Sequence, residues 1–285
     1  MNECDDEEEI ESSDEENLII NNVEVQELHI DMYNEFDDIT LPNQIRCLSH
    51  TLNLLAESDS NKAKSINSYK DLYNDAFGKA HKFWNLVRRS TKASDMVKDI
   101  VQCKFPIPII TRWNSFYNSV NKLLQYKNCL NNIFQKLNIP RLKTKEIKFF
   151  KKYIRIMEPI AISLDIFQGE KNCFLGVVLP TLFIMSDKIE TISHLKHCQH
   201  LKDTILNNFK ILFYSYIIDL EKESSKIFII SAISHPKFKL SWIPYEYIDV
   251  CRHLFLEECK YHGLQNENDE CLLSKCHFKF IPHFS

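Results

Sequence analysis

Glycine is almost missing from this chain, with 4 in 285 residues. That argues against a loop-rich enzyme or one that cradles phosphate in a glycine loop. No apolar run approaches the ~18 residues that a membrane span needs. Near Met1 there is no apolar segment of the secretory type either. The 10 cysteines show no close pairing, which fits reduced thiols in the nucleus or cytoplasm better than a disulfide framework. Most telling is the absence of Lys and Arg from residues 1–40, which hold 16 of the 39 acidic residues.

The rest of the chain therefore carries 35 basic against 23 acidic side chains. An acidic tail on a basic body is the pattern expected of a protein whose body meets phosphate. A solvated surface with a disordered tail explains the same numbers. Aromatics are plentiful, with 19 Phe and 11 Tyr, and most fall at helical spacing.

Residues 1–40 read as an acidic, largely disordered tail. Residues 44–46 read as a short strand running into an amphipathic helix. On that helix Cys47, His50 and Leu54 share one ridge, and Leu48, Leu52 and Leu55 share the next. Residues 66–102 repeat apolar side chains at i, i+3, i+4 and read as one long helix with a break near 91–94. Residues 105–110 (FPIPII) cannot be helical, since alternating prolines force extension. They would deliver Thr111 as the cap of a helix over 112–137. A further helix spans 144–167, capped by Thr144, kinked or broken by Pro159 and ended by Gly169. Helices are also expected over 175–192, 201–223 and 245–261. Residues 227–234 are short and apolar, and their pattern fits a strand or a buried helix equally. After residue 263 the periodicity collapses into an irregular tail.

Two stretches carry chemistry. One is Arg46-Cys47-Leu48-Ser49-His50-Thr51-Leu52-Asn53-Leu54. The other is Thr111-Arg112-Trp113-Asn114-Ser115, which sets a permanent cation beside a flat indole, the pairing a nucleic-acid strand uses for phosphate contact and base stacking. With residues 83–94 (FWNLVRRSTKAS), 157–170 (MEPIAISLDIFQGE), 175–180 (LGVVLP) and 235–242 (HPKFKLSW), they make the chain resemble the hobo/Activator (hAT) transposase superfamily over about 41–242, with the motifs in family order.

The resemblance implies a mainly α fold: a remnant of a ribonuclease H-like α/β core with a long helix over 41–110, then an all-helical insertion domain over 111–262. Intact relatives cut DNA with three carboxylates holding two Mg2+ ions, because hard cations prefer oxygen and two ions clamp both reacting oxygens. Here the segment carrying the first Asp and the region carrying the Glu are not seen. Asp31, Asp37 and Asp38 are the candidates for the second Asp, and one carboxylate cannot hold two metals. The expectation is a catalytically inactive protein without a cofactor. His50 and Trp113 match family positions that contact DNA. Arg112, Arg88 and Arg89, with Lys92 and the five lysines of 143–152, would add phosphate contacts. On general grounds the His is as well explained by a satisfied, semi-buried role and the Trp by core packing.

Zinc is weakly signalled. His194, His197, Cys198 and His200 form the densest cluster and Cys271, Cys276 and His277 the next, but neither has the paired ligand spacing of a structural site. No metal is therefore expected, and no zinc-binding BED finger is visible. DNA is the expected partner, with no membrane partner. No homo-oligomer is expected without the family's C-terminal dimerisation region. The competing readings are a helical protein-interaction module, a degenerate fragment with no nucleic-acid role, and an active metal-dependent nuclease.

Overall fold

A computed structural model describes residues 47–109, 113–169 and 173–261. The side chains of 58–60, 215 and 216 are left aside. Tyr69, Leu72, Ala76, Phe77, Ala80, Phe83, Trp84 and Val87 line one face of a helix and are buried along it. That helix is α2 (Asn67–Arg89), preceded by α1 (Leu48–Lys62) and followed by α3 (Thr91–Val101). The break between α2 and α3 falls at Ser90, just ahead of the expected 91–94. Ser90 is extended, and its Oγ accepts the Ala93 N–H at 3.2 Å, so it caps α3.

Where one helix was expected over 112–137 there are two, α4 (Trp113–Gln125) and α5 (Lys127–Lys136). They pack differently, α4 on α6 and α5 on α3, and one straight rod could not serve both neighbours. Asn138 follows α5 in the left-handed region, φ 55°, a conformation Asn tolerates at a helix end.

The central element is α6 (Thr144–Phe167), which touches α1, α2, α4 and α7. Its first turn is capped by Glu146, whose carboxylate accepts the Lys143 N–H at 2.8 Å, instead of by Thr144. The helix has the expected bounds, and of the expected kink or break at Pro159 there is no break, since the helix runs through it. An interior proline costs about 3 kcal/mol. Ile156, Met157, Ile160 and Leu164 on either side are all fully buried, and each contributes about 1.5–3 kcal/mol by burial, so packing outweighs the lost bond. Phe77 of α2 joins three helices, with ring centroids 5.2 Å from Phe116, 5.0 Å from Phe150 and 5.2 Å from Tyr153.

The C-terminal half continues as α7 (Val178–Glu190), α8 (Gln199–Phe209), α9 (Glu223–Ser234) and α10 (Ile248–Tyr261). The helix expected over 201–223 changes to a π-helical segment at Lys210–Ile218 and ends there. Residues 227–234, undecided by pattern, are helical within α9, which packs against α7, α10 and the 3-10 turn Leu175–Val177. Gly176 in that turn meets α9 so closely that a Cβ would sit 2.5 Å from the Ser231 carbonyl oxygen. The fold is thus mainly α, with no strand among the described residues. The expected strand at 44–46 lies outside them. No described helix is long and apolar enough to cross a membrane. Helix α1 packs on α6 and α8, so residues 47–62 belong to the same helical body as the later elements.

Candidate nucleic-acid interface

Lys145, Lys148 and Lys152 recur at i, i+3, i+7 along α6, with buried Phe149 at the edge of their face and buried Phe150 and Tyr153 turned further toward the core. Helical period alone therefore turns the lysines outward in a row. The row forms one wall of a cleft of about 450 Å³. Ser68 and Asp71 of α2 contribute a second wall, and Lys196 and His197 from the turn before α8 a third. Two features that are 40–50 residues apart in sequence, the lysine run and the histidine cluster, thus meet in one place.

The cleft is strongly cationic. Four lysines face a single carboxylate in the lining, that of Asp71. Lys145 lies 3.6 Å from Asp75, with both side chains more than half exposed, a geometry worth little in water. No carboxylate among the described residues forms an ion pair with Lys148, Lys152 or Lys196. His194 and Lys196 hold left-handed backbone, φ 61° and 48°, which costs a non-glycine residue on the order of 1 kcal/mol or more.

The histidine cluster does not close on a metal. His194 and His197 are exposed, and Nε2 of His200 lies 3.4 Å from Ser65 Oγ. Cys198 is fully buried, and burial pushes its thiol up to about 12, against a smaller opposing pull from Lys152. No group of three or more His, Cys, Asp or Glu among the described residues is placed to share an ion. Asp31, Asp37 and Asp38 lie outside the described residues, as do Cys271, Cys276 and His277.

The chain matches no family model, no curated protein and no solved structure. The hAT likeness rests on its motif residues, whose placement is mixed. Cys47 and His50 are both exposed, at and just after the start of α1, and Leu54 shares their exposed face. The Cys47 carbonyl accepts both the N–H and the hydroxyl of Thr51, at 3.0 and 3.1 Å. Arg88 and Arg89 are exposed in the last turn of α2, where cations also suit the helix dipole, and Arg88 donates to Asn85 Oδ1 at 3.1 Å.

Trp113 is different. It is 8% exposed within the core and its ring lies 5.9 Å from that of Tyr117. An indole so enclosed packs in the core, which is the other role its sequence left open. Its neighbours act as latches. Asn114 Nδ2 donates to Asp165 Oδ1 at 2.6 Å and to the Ala161 carbonyl at 3.2 Å, tying α4 to α6. Ser115 Oγ accepts the Ile109 N–H at 2.7 Å and donates to the Ile109 carbonyl at 3.1 Å. Thr111 and Arg112 lie outside the described residues.

Sequence reasoning named the lysine run but not its opposite wall. The i, i+3, i+7 spacing of Lys145, Lys148 and Lys152 was the available signal. Nothing local paired them with Lys196 and His197.

Proposed function

We propose that this chain is a transposase-derived, hAT-like protein that does not cut DNA and binds it through the basic surface of its helical body. The observation that carries this reading is the outward row on α6, where Lys148 and Lys152 have no carboxylate partner among the described residues. It sits in a body with 35 basic side chains against 23 acidic beyond residue 40. Lysines held away from carboxylates keep their full attraction for phosphate, and binding of that kind is driven by counterion release. His50, Arg88 and Arg89 are exposed and would add contacts, and the motif of residues 111–115 would add Arg112. Inactivity in cleavage follows from the shortage of framed carboxylates, since two divalent ions require several converging oxygens.

The test is a salt titration of the full-length protein against duplex and hairpin-flanked DNA, followed by incubation with Mg2+ or Mn2+. Affinity should be strongest at low salt and fall log-linearly as salt rises, with no nicking. Absence of affinity at low salt overturns the binding reading. Metal-dependent nicking abolished by Asp37→Asn or Asp38→Asn overturns the inactive one.

A second reading, a protein-interaction module, draws on side chains of the C-terminal half. Ile211 is 71% and Tyr245 89% exposed, apolar side chains that a protein partner would cover. Recovery of a specific protein partner by a chain that ignores DNA would favour it.

A further inference from the structure

The cleft between α2, α6 and residues 194–198 is small, cationic and poor in rings. Its volume of about 450 Å³ belongs to the range that encloses ligands of small-molecule size, so a strand's backbone could enter but the body of a duplex could not. From Lys145 to Lys152 the helix rises about 10.5 Å at 1.5 Å per residue. Adjacent phosphates of one strand outside a duplex lie roughly twice the ~3.4 Å by which each strand advances along a duplex axis, so the row spans about two to three phosphates. The benzene ring in the lining, Phe149, is 2% exposed. It cannot serve as a stacking platform, and base stacking is what usually fixes single-stranded bases to a protein. Phosphate contacts position a strand but carry no sequence information. Lys196 faces the row from the opposite wall, with its backbone in the left-handed region.

We infer that this cleft binds about two to three consecutive phosphates of one nucleic-acid strand, without regard to base sequence. The inference rests on the DNA-binding reading above and locates its main contact. The strand enters with its phosphates toward Lys148, Lys152 and Lys196 and its bases toward solvent. Asp71 is the one carboxylate that opposes it.

The experiment measures anisotropy of labelled single-stranded oligodeoxynucleotides with the full-length protein, between about 50 and 200 mM salt. The triple variant Lys148→Gln/Lys152→Gln/Lys196→Gln should lower the log–log salt slope by about 2, at ~0.7 per phosphate, and weaken binding about 100-fold near 0.1 M salt. Because Lys152 is half-buried, the fully exposed pair Lys148→Gln/Lys196→Gln is measured beside it, with an expected slope change of about 1.4. A control triple, Lys104→Gln/Lys127→Gln/Lys136→Gln, removes the same charge from exposed positions outside the cleft and should leave the slope nearly unchanged. Oligo-dA and oligo-dT should bind alike. Equal slope losses in both triples, or strong preference for one base, overturn the cleft and leave general DNA binding standing. No binding by the unmodified chain overturns the parent reading and this one together.

Discussion

The Lys79 ammonium lies 2.9 and 2.8 Å from the two carboxylate oxygens of Glu146, joining the middle of α2 to the first turn of α6. Glu146 is fully buried and also accepts the Lys143 N–H at 2.8 Å, while Lys79 gives a further hydrogen bond to the Arg141 carbonyl at 3.1 Å. A charge taken out of water is tolerable only with such saturation. The two partners differ, because the Lys79 side chain is 16% exposed and the Glu146 side chain is not exposed at all.

That asymmetry predicts unequal costs. Lys79→Ala leaves a carboxylate sealed in the core and should destabilise by about 3–5 kcal/mol. Glu146→Ala leaves an ammonium that can turn toward water and should cost less, while also uncapping α6. Joint replacement by Lys79→Met and Glu146→Leu should recover much of the loss, since apolar isosteres often match a buried pair. Urea unfolding followed by circular dichroism measures all three. A loss below about 1 kcal/mol for Lys79→Ala would show that the pair does not matter to stability.

Trp113 should behave as a core residue. Trp113→Ala removes a large buried side chain and should cost about 3–5 kcal/mol, with Trp113→Phe milder. Asn114→Ala should cost about 1–2 kcal/mol by releasing α4 from Asp165. At temperatures where the variants stay folded, the salt slope of DNA binding should equal that of the unmodified chain. A stable Trp113→Ala variant with a selective loss of DNA binding would return the indole to the interface.

On the alkaline side the fold should weaken in two stages. Burial holds the Cys251 thiol up at about 11 and the Cys198 thiol at about 12, and Tyr73 and Tyr117 at about 12. It also raises Tyr69 and Tyr153. These groups ionise in the unfolded chain near 8.5 for Cys and 10 for Tyr. Their contribution is therefore complete below pH ~8.5 and is lost as pH rises through the folded values. Stability against urea should decline above about pH 8.5 and more steeply above 10. Iodoacetamide at pH 8 should modify exposed Cys47 and Cys173 before buried Cys198 and Cys251. Early reaction of Cys198 would contradict its burial.

How much could be read without the fold depended on the range of the interactions involved. The stripe on α2, the burial of Leu52 and Leu55 beneath exposed Cys47 and His50, and the outward row of α6 all follow from the 3.6-residue period. The outcome at the proline needed the fold. Pro159 kinks or breaks a helix by local rules, and the helix continues through it because Met157 and Ile160 beside it are fully buried, which a window of neighbours does not show. Residues 227–234 stayed open between strand and helix, because a short, largely apolar run carries no period to separate the two.

The sequence by itself determined that the chain is helical, that its charge is divided between an acidic start and a basic body, and that Lys145, Lys148 and Lys152 share a face. Those are properties of composition and of short spacings. Tertiary structure alone decided that Lys196 and His197 would face that row, that Glu146 would find Lys79, and that Trp113 would turn inward while Asn114 and Ser115 became latches. Each of those outcomes joins residues that are distant in the chain or depends on which helix lies alongside. Burial across helices sets them, and local periodicity records only which side of a helix is apolar, never which partner will cover it.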